Sequence, residues 1–155
     1  MCELGTTTPA FEGAFCVGRR TLVSDRALED GDLVSMKAGV LREGWEGSLA
    51  RTWPCGALAA ENRGRWSSWN DRWLFVMDHC RAGTQVRDLA KLWFPMAVHG
   101  VGLGYEGLSL DTVLEAGMVI QVELVVSDIL GSDMLLISDN GSEKLTTFAH
   151  PAVGA

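Results

Sequence analysis

Gly31-Asp32-Leu33-Val34-Ser35-Met36-Lys37-Ala38-Gly39-Val40-Leu41 leads through Arg42-Glu43-Gly44 into Trp45-Glu46-Gly47-Ser48-Leu49-Ala50-Arg51-Thr52-Trp53. Leu33 to Leu41 reads as a strand. Arg42-Glu43-Gly44 reverses the chain, and Trp45 to Trp53 returns as a second strand, so the stretch is a hairpin. Just upstream, Leu28 to Asp32 is a turn, with Gly31 supplying the bend. Ala14-Phe15-Cys16-Val17 reads as a short strand. Residues 1–13 look irregular, and Thr8 before Pro9 favours extended chain because a residue preceding proline avoids the α region.

Downstream, Trp66, Trp69, Trp73, Val76 and Met77 recur at the spacing of an amphipathic helix within Arg65 to Trp93. Ala82-Gly83-Thr84 breaks that helix. Thr84 is the expected N-cap of a second helix, Gln85 to Trp93, which Pro95 ends. His99-Gly100-Val101-Gly102-Leu103-Gly104-Tyr105 reads as a glycine-rich turn. Val113 to Gly117 is a turn, Met118 to Val126 a strong strand, and Met134 to Ser138 another. Asp139-Asn140-Gly141 turns the chain, and Lys144-Leu145-Thr146 closes the sheet. From Ala149 the tail is expected to fray.

The 155 residues amount to one domain, large enough to bury a core without disulfides or metal. With 47% hydrophobic and 21% charged residues, the chain is too apolar to be disordered. Its net charge of −7 repels phosphate backbones, so no nucleic-acid partner is expected. No apolar run approaches the roughly 20 residues that span a bilayer, so no membrane is expected either. The start carries no basic and then apolar signal pattern, which predicts a cytoplasmic protein. Cys2, Cys16, Cys55 and Cys80 form no CxxC pair and read as reduced thiols rather than a zinc ribbon.

Several segments, in order, resemble the pita-bread superfamily of creatinase, aminopeptidase P, prolidase and methionine aminopeptidase. The Gly31–Trp53 hairpin is similar to that family's first hairpin, and His99-Gly100-Val101-Gly102-Leu103 to its HGxGL turn. Leu114-Glu115-Ala116-Gly117-Met118-Val119-Ile120-Gln121-Val122-Glu123 is similar to LEPGMVxxxE. Ile137 to Thr146 is similar to the closing VTENGxExLT. The likeness covers roughly residues 28–148. It implies an α+β, shortened pita-bread fold over residues 1–155: a bent, mostly antiparallel sheet with helices on one face.

The family's metallopeptidases hold two divalent metals through two aspartates on the hairpin, a histidine, and two glutamates on later strands. Carried over by position, these fall at Lys37, Ser48, His99, Glu123 and Ser132, with Asp133 beside the last. A protonated lysine has no lone pair and repels a cation. The resemblance therefore implies a degenerate member with no metal and no cofactor. Its remaining chemistry would be metal-free, hydrolase- or lyase-like, as in the creatinase branch, which acts on a small guanidino substrate.

His99 with Glu123, and Glu106 beside them, is then the acid/base candidate, because histidine exchanges protons near neutral pH. The alternative is that His99 is a structural remnant. Lys37 and Tyr105 are the candidate substrate-binding residues. Lys37 would stand in for the lost metal charge, or else be a solvated residue on the hairpin. His79 and His150 do not read as catalytic. The implied ligand is a small peptide- or amine-bearing molecule. Competing readings are a non-catalytic partner subunit or scaffold, and an Xaa-Pro-type metallopeptidase. The chain starts almost at the hairpin, and the interval from Glu123 to Ser132 is short. One half of the sheet therefore reads as truncated, which predicts a homodimer or a protein partner over an open edge. The tryptophan stripe at 66, 69 and 73 would serve as core or interface.

Overall fold

Successive residues of a strand point to opposite sides of the sheet, and the side away from the helices positions the candidate site. In the computed structural model the described residues are 8–9, 14–17, 26–90, 96–102 and 104–151; side chains are described for 26–89, 97–102 and 107–151. Among the described residues, nine strands form one sheet: β1 (Thr8–Pro9), β2 (Ala14–Val17), β3 (Leu33–Arg42), β4 (Trp45–Pro54), β5 (Met96–Gly102), β6 (Gly104–Gly107), β7 (Val119–Val126), β8 (Ile129–Ser138) and β9 (Gly141–Lys144). Helices α1 (Ala60–His79) and α2 (Val86–Ala90) lie between β4 and β5 in the chain. The path across the sheet is β1-β3-β4-β8-β7-β5-β6, with β2 also on β3 and β9 also on β8. Every pairing is antiparallel.

The leading hairpin forms where the alternation placed it. Glu43 and Gly44 both take positive φ, the geometry of a tight two-residue turn whose twist matches its strands. Opposite α1 and α2, β7 offers Ile120, Val122, Leu124 and Val126, and β8 offers Ile129, Leu135 and Ile137. Trp66, Trp69, Trp73 and Val76 of α1 pack on them, joined by Val86 and Leu89 of α2. Trp69 and Trp73 stack at 5.3 Å, and the Trp69 indole N–H donates to the Leu124 carbonyl at 3.2 Å. The three tryptophans are thus spent on the chain's own core. Cys80 is buried beside them, and burial pushes its thiol up to about 12.

Several expectations are corrected. The first helix starts at Ala60, a turn before Arg65. The second covers Val86–Ala90; Trp93 and Pro95 lie outside the described residues. Thr84 does not cap it: its hydroxyl donates back to the His79 carbonyl at 2.8 Å and so satisfies the C-terminal end of α1. The glycine-rich stretch at His99 is strand rather than turn, because β5 is paired with β6 on one side and β7 on the other. Thr8–Pro9 pairs with β3. The tail does not fray at Ala149. Arg51 Nε donates to the Ala149 carbonyl at 3.3 Å, and the His150 Nε2–H donates to Asp133 Oδ2 at 2.8 Å. No helix among the described residues is long and apolar enough to cross a membrane.

Candidate functional site

Side chains alternate across a strand, so the residues between the core positions of β7 and β8 face the other way. There β7 carries Gln121 and Glu123, and β8 carries Ser132, all buried. Pairing extends this polar face through the sheet. Glu123 sits opposite Ser132, Ser132 opposite Ala50, and Ala50 opposite Lys37. On the other side, Glu123 sits opposite Ala97 and Gln121 opposite His99. Lys37, Ala50, Ser132, Glu123 and Ala97 therefore form one row across five strands.

That row explains the central contact. Lys37 and Glu123 are three strand spacings apart, roughly 14 Å along a flat sheet. The sheet is curled, and only alanine and serine stand between the two. The lysine stem crosses them, and Nζ reaches Glu123 Oε2 at 2.6 Å. The Lys37 side chain is 29% exposed and that of Glu123 11%, so the pair lies at the edge of solvent. Lys37 is an ion-pair partner in the site, not a solvated residue of the hairpin.

Beside the pair, the Ser48 hydroxyl donates to Gln121 Oε1, and Gln121 Nε2 donates to Ser132 Oγ at 3.2 Å. One amide thus ties together hydroxyls from β4 and β8. Further along the same face, Ser35 Oγ and Thr52 Oγ1 share a hydrogen bond of 2.8 Å.

His99 is buried, one step along the polar face from Glu123, in a diagonal relation across β5 and β7. Its Nδ1–H donates to the Gly100 carbonyl at 3.1 Å. Tyr105 and Glu106 pair by backbone with Val101 and Gly100. Their side chains lie outside the described residues.

Sequence reading missed a second polar cluster, on the helix side of the sheet. Arg51 and Asp133, both fully buried, meet at 2.5 Å between Nη2 and Oδ1. Thr146 and His150 donate to the same carboxylate. Burial opposes ionisation of Asp133, but the hydrogen bonds from His150 and Thr146 and the Arg51 charge outweigh it and hold its pKa below the usual range. Burial likewise lowers His150, with Arg51 adding to the effect and Asp133 opposing it. The signal available in advance was Arg51 itself, a charged residue in a strand otherwise suited to burial.

Residues 1–141 match the model of metallopeptidase family M24. A methionine aminopeptidase of Treponema pallidum is 30% identical over 147 residues, covering 81% of this chain and 57% of the relative. A Pyrococcus furiosus Xaa-Pro dipeptidase is 25% identical over 171 residues, covering 92% and 49%. Among solved structures, an Xaa-Pro dipeptidase from Bacillus anthracis superposes with a TM-score of 0.86 at 21% identity, covering 98% of this chain and 51% of the other. The prolidase of Pyrococcus horikoshii gives 0.81 at 24%, covering 96% and 51%. The chain spans about half the length of these relatives. Its curled antiparallel sheet is accordingly part of a pita-bread fold, as the sequence segments implied.

Proposed function

The chain belongs to metallopeptidase family M24, and from that premise we propose a cytoplasmic member that works without the paired metals and binds a small peptide- or amine-bearing molecule at His99 and Glu123. The observation that carries this reading is the 2.6 Å contact between Lys37 and Glu123. Hard divalent ions need several oxygen anions. The five carried-over positions supply one imidazole, one carboxylate, already bound to an ammonium, and two hydroxyls, already joined to the Gln121 amide. This donor set does not fit two metals. Among the described residues, no three His, Cys, Asp or Glu side chains gather as a metal-binding group.

In this reading the chain's own groups divide the work. Lys37 supplies the positive charge that holds an anionic end of the ligand or a developing anion. Glu123 receives an amine or guanidino group. His99 Nε2 accepts or returns a proton. A second reading, a non-catalytic scaffold, is favoured by the Ser48–Gln121–Ser132 chain, which satisfies the polar floor internally.

The test is elemental analysis of purified protein, together with Xaa-Pro dipeptides offered with and without chelator. The expected result is no stoichiometric manganese, cobalt, zinc or iron and no chelator-sensitive cleavage. Two metals per chain would overturn the proposal. Ligand binding that survives in wild type and is lost in His99→Ala separates the binding site from the scaffold.

A further inference from the structure

Backbone pairing is thin between β4 and β8. Full ladders join β3 to β4 and β7 to β8, but β4 and β8 share a single register pair, Ala50 with Ser132. This seam divides β1–β4 from β5–β9, and the candidate site straddles it: Lys37 and Ser48 on one side, His99, Gln121, Glu123 and Ser132 on the other.

Side chains take over where the ladder stops. The Thr52 hydroxyl accepts from the Leu130 N–H at 2.8 Å and donates to the Leu130 carbonyl at 2.9 Å, standing in for a backbone partner. The Arg51 guanidinium donates to the Ala50 carbonyl at 2.7 Å and, across the seam, to the Ser132 carbonyl and Asp133. Arg51 and Asp133 have further hydrogen-bonding capacity, and the tail fills it. Phe148 and Ala149 offer carbonyls to Arg51, at 3.2 and 3.3 Å from Nε, while Thr146 and His150 donate to Asp133. The His150 ring lies 4.8 Å from Trp69 and 5.0 Å from Trp73, so the core of α1 backs the contact.

We propose that residues 145–151 are a strap that keeps the β4–β8 seam closed by completing the buried Arg51–Asp133 pair. With the strap lifted, both ions have to find water, which enters at Ser132 and Ala50. These two residues lie in the row between Lys37 and Glu123, so the strap sets the spacing of the site from the opposite face of the sheet. A protein that captures the tail, or a protease that removes it, would thereby open the site. The strap acts in this way whatever ligand the site takes.

Residue-resolved hydrogen exchange on the full chain tests it, comparing wild type with Thr146→Val and His150→Ala. Each variant removes one hydrogen bond to a buried charge. The Leu130 amide should exchange about tenfold faster or more, while the Val122 and Leu124 amides in the β7–β8 ladder keep wild-type protection. An unchanged Leu130 amide overturns the proposal. So does equal acceleration everywhere, which would make the tail an ordinary part of the global core. Failure of both variants to fold overturns it as well, and if only His150→Ala fails, Thr146→Val decides.

Discussion

Lys37 Nζ lies 2.6 Å from Glu123 Oε2, although β4 and β8 separate their strands. The pair closes a curled sheet with a charge contact at the position where the resemblance implies a metal. Glu123 is buried, but the Lys37 side chain keeps 29% of its surface exposed, so the contact is worth less than a dry pair.

The consequence for stability follows from that partial exposure. Glu123→Gln should lower unfolding free energy by about 1–2 kcal/mol, below the roughly 3–5 of a fully buried pair. Lys37→Met should cost a similar amount. In the double variant the two losses should fall short of additivity by about 0.5–1 kcal/mol or more, the coupling of residues in direct contact. Denaturant titration of the four proteins gives the cycle, and strict additivity would show that the contact contributes nothing.

If the donor set alone excludes metal, as proposed, restoring that set should confer metal affinity. Lys37→Asp, Ser48→Asp and Ser132→Glu together place three carboxylates around His99 and Glu123. The triple variant should be stabilised by manganese, by about 2.7 kcal/mol at a hundred times its dissociation constant. Wild type should show no shift under the same titration. A triple variant that folds but ignores manganese would mean that the surrounding shape, and not these three residues, excludes the ion.

Much of this arrangement was legible from local pattern. The alternation of Leu33 to Trp53 gave the hairpin, the spacing of Trp66, Trp69 and Trp73 gave the buried face of α1, and the run at Met118 to Val126 gave the central strand. What was not legible depends on distant pairing. Arg51 and Asp133 are 82 residues apart, and nothing local joins them. His150 sits in the segment from Ala149 that was expected to fray by its position in the chain, and its order comes from partners on β8 and α1. Thr84 lay within reach of two helix ends, and the sequence favoured the wrong one. Lys37 was legible as a departure from a ligand position, but its reach to Glu123 depends on sheet curl and on small residues at 50 and 132.

The tail cluster predicts an acid sensitivity in two steps. His150 has a folded pKa below the ordinary 6.5, so the unfolded chain takes up a proton first as pH falls. Its contribution is complete above about 6.5 and erodes below it. Asp133 has a folded pKa below the ordinary 3.8, so its contribution is complete above that value and is lost as pH drops through the folded one. The melting temperature should therefore hold from pH 8 to about 7, decline below about 6.5, and decline again below about 4. In His150→Ala the first decline should shrink and the second remain. A first decline of unchanged size in that variant would assign it to another group.

Two glycines should respond in opposite directions to the same change. Gly131 lies on β8 beneath the tail, and a Cβ built there collides with Cζ2 and Cη2 at the edge of the Trp69 ring and lies 2.8 Å from His150 Cε1. Both rings are held, Trp69 by its stack with Trp73 and its bond to Leu124, and His150 by Asp133. Neither can withdraw cheaply, so Gly131→Ala should destabilise by about 1–3 kcal/mol, the usual range for an overpacked core. It should also displace His150 and reproduce the faster Leu130 exchange expected of a lifted strap. Gly64 lies within α1 on an exposed turn, and a Cβ there meets nothing within 4 Å. Alanine removes the backbone entropy cost of a helical glycine, so Gly64→Ala should stabilise by about 0.5–1 kcal/mol. Thermal and denaturant unfolding of the two variants check both signs. A neutral Gly131→Ala would mean that the tail yields without cost, and the strap would carry no load.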